Sequence, residues 1–234
     1  MGKMYTVHAT KYDEAIQDNA YNALYERPTT LALIGDVTDK DVLDLGCGPG
    51  IYAQLFTEQG ARVTAIDASQ EMVAITRSKL KEQVHAYAQD LSIGLPKEHD
   101  EQFDVVVCPL MIHYLEDLKP LFLDISRVLK KEGVFVFSTH HPIIDFDPSD
   151  NNSNYFAVEQ ITEDWDTTGE PVEVSFFRRS LTSIFSALSD CSFVMERFSE
   201  GVPDIKMKSV APETFETLSR RPNFVFIRAK KLSQ

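Results

Sequence analysis

An α/β fold, a doubly wound and mostly parallel sheet with helices on both faces, is predicted by three observations. Apolar runs of strand length alternate with segments whose apolar residues recur at helical spacing, the pattern of strand–helix–strand units. One such run, Val42-Leu43-Asp44-Leu45, leads straight into a glycine-rich turn, Gly46-Cys47-Gly48-Pro49-Gly50, which opens the amphipathic segment Ile51 to Gln59. A second run, Arg62-Val63-Thr64-Ala65-Ile66, ends in Asp67. That is about twenty residues after the turn, where doubly wound nucleotide folds set a carboxylate against ribose hydroxyls.

The elements follow in order. Ser69 is an N-cap for a helix carrying Met72, Ile75 and Leu80, and the run Val84 to Ala88 leads to Asp90-Leu91. Phe103-Asp104-Val105-Val106-Val107-Cys108 reads as a strand buried on both faces. Leu118, Leu121, Phe122, Ile125, Val128 and Leu129 recur at helical spacing, and Lys130-Lys131 with Gly133 close that helix before the strand Val134-Phe135-Val136-Phe137. From His140 to about Phe177 the pattern breaks into Asp, Asn, Ser, Pro and Gly among isolated aromatics, which predicts an insertion rather than another sheet unit. Ser180 caps a helix with Leu181, Ile184, Phe185 and Leu188, and Phe193–Phe198 and Phe224–Ile227 are the last two strands.

Composition narrows the function classes. The 234 residues fit one large α/β domain with an elaborated cap, and 43% are hydrophobic, as in a globular protein. A net charge of −13 disfavours nucleic acid, whose binding is driven by Lys and Arg displacing counterions. Cys47, Cys108 and Cys191 are odd in number and widely spaced, which reads as reduced thiols in a cytoplasmic protein. No apolar run reaches the length of a membrane span, and the N-terminus lacks the apolar core of a secretory signal. Met1–Thr6 formally matches a myristoylation pattern and Asn151-Asn152-Ser153 a glycosylation pattern, both short enough to arise by chance.

The glycine turn carries the chemistry. Without a Cβ, Gly46, Gly48 and Gly50 let a ligand approach the main chain, and the amides opening the next helix point at its polar groups. The dinucleotide fingerprint G-x-G-x-x-G needs a glycine where Ile51 stands, so NAD is disfavoured. The stretch Leu43–Gly50 instead resembles the first motif of the class I S-adenosylmethionine-dependent methyltransferases. The resemblance covers about residues 30 to 140 and 180 to 230. It implies a Rossmann-like, seven-stranded, mostly parallel sheet with an antiparallel last strand. The whole chain, 1–234, is then one domain, with about 1–30 as an N-terminal lid and about 140–178 as a cap insertion.

The resemblance also implies site roles. The Gly46, Cys47, Gly48 and Gly50 backbone approaches the methionine moiety of S-adenosylmethionine. Asp44 either meets its amino group or stabilises the turn from within. Asp67, with Ala68 beside it, accepts hydrogen bonds from the ribose, and Asp90-Leu91 meets the adenine. Cys108-Pro109-Leu110 lines the methionine end through its backbone, at the sheet edge where open α/β folds place ligands. Tyr12, Tyr21, Tyr25 and Arg27 resemble the aromatic lid of small-molecule methyltransferases, or else pack on the core; Tyr21 is taken as the cofactor contact. Tyr155, Phe156 and Trp165 stack on an acceptor or anchor the cap.

Transfer from a sulfonium needs no acid for the leaving thioether, so proximity and alignment dominate. A hydroxyl or protonated amine acceptor also needs a base, and His suits neutral pH. His113, beyond the fourth strand, and His141, beyond the fifth, are the expected bases. His140, His141, Asp145 and Asp147 match no metal-ligand spacing, so no metal is expected. The reading is methylation of a small molecule. A tRNA-modifying enzyme, an enzyme turning the same cofactor to another reaction, and a non-catalytic cofactor sensor are the alternatives. The cap's apolar residues face either the acceptor or a second subunit, which leaves a homodimer open.

Overall fold

Seven of the apolar runs form one sheet in the computed structural model, which describes residues 2–150 and 153–232. The patterns involving Met1 and Asn151-Asn152 lie outside the described residues. The first strands are β1 (Asp41–Leu45), β2 (Arg62–Asp67), β3 (Val84–Ala88) and β4 (Phe103–Cys108), followed by β5 (Leu129–His140). The last are the hairpin strands β6 (Glu159–Trp165) and β7 (Val172–Arg178), then β8 (Phe193–Ser199) and β9 (Phe224–Lys231). The sheet order is β3-β2-β1-β4-β5-β9-β8, with β6 and β7 forming a separate two-stranded sheet. β1 to β5 are parallel, and β9 runs antiparallel to both β5 and β8.

The central strands read as continuous apolar runs because both faces are covered. Leu43, Leu45, Val106, Phe135 and Phe137 pack with Phe122 and Ile125 in one core. Val42, Val63, Ala65, Val105 and Val136 pack with Phe56 and Val73 in the other. Among the described residues, eight α-helices accompany the strands. Before β1 lie α1 (Ala9–Ala15) and α2 (Arg27–Ile34), and between the first strands α3 (Ile51–Glu58) and α4 (Gln70–Leu80). Then come α5 (Lys119–Val128), α6 (Leu181–Asp190), α7 (Met207–Val210) and α8 (Pro212–Leu218). Ser69 caps α4 by accepting from the Met72 amide at 3.1 Å, and Ser180 caps α6 through Ser183 at 3.2 Å.

Three local readings change. The helix expected to run through Leu129 ends at Val128, and Leu129 opens β5 by pairing with Phe103. Lys130, expected to close that helix, instead bridges Asp41 at 2.7 Å and Asp104 at 2.8 Å, tying β5 to β1 and β4. The insertion stays out of the main sheet but carries its own hairpin, and α7 and α8 fill a stretch with no sequence assignment. No helix among the described residues is long and apolar enough to cross a membrane.

Candidate active site

β1 delivers the chain into the glycine turn, and the turn is anchored on β2. The Gly46 and Cys47 amides both donate to the Ile66 carbonyl, at 2.8 and 3.1 Å. The three glycines have different physical reasons. A Cβ on Gly46 would sit 2.5 Å from Met111 Cγ, and one on Gly50 would sit 2.8 Å from Thr76 Oγ1, so both are close-packing positions. Gly48 has φ +52°, yet a Cβ there meets no atom within 4 Å. Its Cα faces open space. Thr76 Oγ1 fixes the turn from behind by donating to the Gly48 carbonyl at 2.9 Å.

Asp67 closes the turn from the other side. Its Oδ2 accepts from the Gly48 amide at 2.9 Å and its Oδ1 from the Ser69 amide at 2.8 Å. Burial raises its carboxyl affinity for protons, against the pull of the Ser69 and Gly48 amides. Asp44 is fully buried under the turn, and among the described residues neither carboxylate oxygen has a hydrogen-bond partner. Burial, with the Asp67 charge adding to it, pushes this carboxyl up to about 8; the nearby Ala53 amide offsets only part of the shift.

These groups border a cavity of about 1100 Å³. Its floor at the sheet edge includes Gly46, Cys47, Gly48, Asp67 and Ala68, with Asp90 and Leu91 beyond β3. Asp90 Oδ1 accepts from the Ser92 amide at 2.9 Å, and Leu91 is buried. The wall after β4 is made by Pro109, Leu110 and Met111 rather than by Cys108. Cys108 points into the core, and its thiol is raised well above its ordinary value by burial. Asp44 and Gly50 likewise lie behind the lining, supporting the turn rather than forming its surface. Tyr21 is 37% exposed and lies outside the lining, whereas Tyr12 and Arg27 belong to it. Tyr25 is wholly buried against Phe224 and Phe226.

The expected bases do not reach the cavity. His113 is buried, with Nδ1 3.3 Å from Thr139 Oγ1, and stacks on His140 at 4.2 Å between ring centroids. Burial holds its imidazole well below its ordinary affinity for protons, and the neighbouring His140 and Arg179 act in the same direction. His141 is buried too, with Nε2 2.9 Å from Glu200 Oε1. Both are placed where β4 and β5 continue into packed core, so proximity to the sheet edge did not imply access. Trp165 packs beside Met4, Val172 and Phe176, anchoring the hairpin, and Phe156 is 70% exposed. Among the described residues, no three or more His, Cys, Asp or Glu are grouped to hold a metal ion.

Two walls lacked a sequence assignment. One is Tyr5 and Tyr114, whose hydroxyls are 2.5 Å apart, with Tyr5 edge-on to Tyr12 at 5.0 Å. The other is the hairpin, which contributes Gln160, Asp164, Glu173, Ser175 and Phe177. The strict alternation of buried Val172, Val174 and Phe176 with the intervening residues was the signal that could have revealed β7. Glu26 accepts from Thr30 Oγ1 and Ser138 Oγ at 2.7 Å each and from Tyr52 OH at 2.8 Å. It lines the cavity and links α2, α3 and β5.

The lining fits S-adenosylmethionine. Gly48 offers a bare backbone surface that a Cβ would fill, Asp67 and Asp90 are acceptors for hydroxyl and amino groups, and Arg27 is a cation for a carboxylate. A family model described as a methyltransferase domain matches residues 43–137. An uncharacterised protein of Haemophilus influenzae is 27% identical over 233 residues, covering 91% of this chain and 89% of that protein. The ubiquinone biosynthesis O-methyltransferase of Rickettsia bellii is 33% identical over 110 residues, 44% of this chain and 43% of that enzyme. The match thus spans less than half of that enzyme's length. An S-adenosylmethionine-dependent methyltransferase from Mesorhizobium loti has a solved structure with a TM-score of 0.72 at 25% identity, covering 92% of this chain and 100% of that one. With the turn, the acidic strand ends and the sheet order in agreement, the chain carries a methyltransferase domain over residues 43–137 and is similar over most of its length to S-adenosylmethionine-dependent methyltransferases.

Proposed function

We propose that the protein methylates a small molecule held in the outer half of the cavity, between the N-terminal segment and the β6–β7 hairpin. The cavity's extent carries this reading. Its volume of about 1100 Å³ slightly exceeds the roughly 300–1,000 Å³ usual for a single small-molecule site. That leaves room for an acceptor beyond the cofactor floor. The lining carries Glu26, Asp67, Asp90, Asp164 and Glu173 against Lys3 and Arg27, a poor match for a phosphate backbone. The Rickettsia relative is named for methylation at oxygen, which supports an oxygen acceptor here.

In this reading the chain is one domain, with the first thirty or so residues as lid and about 140–178 as cap. The backbone of Gly46, Cys47 and Gly48 and the Arg27 guanidinium hold the methionine end, while Asp67 beside Ala68 holds the ribose and Asp90 with Leu91 the adenine. Asp44, Gly50 and Cys108 support these groups from behind. When bound, S-adenosylmethionine supplies an electrophilic methyl group on a sulfonium, whose departure as a neutral thioether needs no acid. The protein's task is then to align the acceptor about 3–3.5 Å from the transferring carbon and to exclude water. Leu110, Met111 and the tyrosine wall serve both ends. His113 and His141 act through packing.

The experiment is incubation with methyl-labelled S-adenosylmethionine and a cell extract separated into small-molecule, RNA and protein fractions. Label is expected in the small-molecule fraction. Label confined to RNA or protein would overturn the acceptor class.

A further inference from the structure

With the two expected histidines buried behind the wall, the one histidine among the described cavity-lining residues is His8. It lies on a regular stripe. Tyr5, His8, Tyr12 and Ile16 recur three and four residues apart along the N-terminal segment, and all four line the cavity. The segment is held in place because the His8 amide donates to the Lys3 carbonyl at 3.1 Å and the Tyr12 amide to the His8 carbonyl at 2.9 Å. Ser69 Oγ also donates to the Tyr5 carbonyl at 2.6 Å, fastening the stripe to the cofactor side.

The ring is oriented by the hairpin. His8 Nδ1 lies 3.3 Å from Glu170 Oε1, at the tip between β6 and β7, and the same oxygen takes the Lys11 ammonium at 2.5 Å. A carboxylate beside Nδ1 favours the tautomer that carries its proton on that nitrogen, with Nε2 as the unprotonated one. The His8 side chain is 20% exposed, and its contact with Glu170 is made through Nδ1.

Besides the hairpin carboxylates Asp164 and Glu173, the main acid–base candidates in the cavity are spoken for. Glu26 accepts three side-chain hydroxyls, Asp67 two backbone amides and Asp90 one. Tyr5, Tyr12 and Tyr114 are held protonated, principally by burial. Among the groups that remain, an imidazole is the type matched to neutral pH.

We propose that His8 is the general base of the transfer and that Glu170 is its positioning residue, which makes the acceptor a hydroxyl-bearing small molecule. This rests on the small-molecule reading above. As the acceptor oxygen forms its bond to the methyl carbon, the carbon–sulfur bond breaks and its electron pair leaves with the neutral thioether. The hydroxyl proton passes to His8 Nε2 and then to water, so no further reagent is needed.

Two measurements test it. Long-range nitrogen–proton NMR on the full chain reads the His8 tautomer. The proton is expected on Nδ1 in the wild type and in Glu170→Gln, which keeps an acceptor. It should return to the usual Nε2 preference in Glu170→Ala. A wild-type ring with its proton on Nε2 would overturn the dyad. Labelled transfer into the small-molecule fraction is then compared for the wild type and His8→Gln, with S-adenosylhomocysteine affinity measured by calorimetry. A loss of about 10²–10⁴-fold in transfer at unchanged affinity is expected. If the wild type labels small molecules and His8→Gln does so equally, His8 is not the base and the small-molecule reading stands. If the wild type labels none, that reading fails and takes this inference with it.

Discussion

Replacing Gly48 with alanine separates binding from folding more cleanly than any other change in the turn. Its φ of +52° costs a side-chain-bearing residue about 1–2 kcal/mol. For a chain of 234 residues, that corresponds to a melting temperature lower by about 2–8 °C. No steric term adds to this, because a Cβ at Gly48 meets nothing within 4 Å. The methyl group instead projects into the space the cofactor backbone contacts require, so S-adenosylhomocysteine affinity should fall at least tenfold, about 1.4 kcal/mol or more. Gly46→Ala behaves differently: its Cβ would press to within 2.5 Å of Met111. That overpacking should cost about 1–3 kcal/mol beyond the backbone term. Calorimetric titration and thermal melts on both variants provide the comparison. A Gly48→Ala protein that melts a few degrees low yet binds at wild-type affinity would refute the assignment of this surface to the cofactor.

Three further outcomes are expected. Asp67→Ala removes an acceptor held by two backbone amides at 2.8 and 2.9 Å. Since hydrogen bonds to a charged group contribute about 1.5–3 kcal/mol each, loss of the ribose contact should weaken S-adenosylhomocysteine binding tenfold or more in calorimetry. Asp44 carries a carboxyl pushed up to about 8 in the folded protein, so the native state holds a proton that the unfolded chain releases. Its contribution to stability is therefore largest in acid and declines by about 1.4 kcal/mol per pH unit between roughly pH 4 and 8. Asp44→Asn should flatten that slope in urea unfolding of the cofactor-free protein, and an unchanged slope would argue against a buried protonated carboxyl. His113→Phe keeps the ring packed against His140 and Phe176. It should change transfer per folded molecule by less than about threefold, whereas a loss on the scale of a missing base, about 10²–10⁴-fold, would restore His113 as a catalytic group.

The features legible in the sequence are those set by short-range geometry. The strand, glycine turn and Asp67 form a local unit, and their spacing alone brings the Gly48 amide to the Asp67 carboxylate. Ser69 and Ser180 are legible as caps for the same reason. What a linear pattern does not encode is which side of a wall a residue faces. His113 and His141 follow the strands that lead to the cavity edge, yet both turn into packing made by distant Phe176, Thr139 and Glu200. His8 is not legible because its partner Glu170 is more than 160 residues away, at the tip of the hairpin in the insertion. The three glycines looked equivalent in sequence, and only the neighbours Met111 and Thr76 show that two of them are packing positions.

The central claim is that one cavity has a cofactor floor and a separate acceptor wall. Backbone NMR of the labelled protein during titration with S-adenosylhomocysteine tests it residue by residue. Shifts are predicted at Gly46, Gly48, Asp67, Ala68, Asp90 and Leu91, with Gln160, Asp164, Glu173 and Ser175 left near their starting positions. Shifts concentrated on the hairpin, with the glycine turn unmoved, would contradict the account.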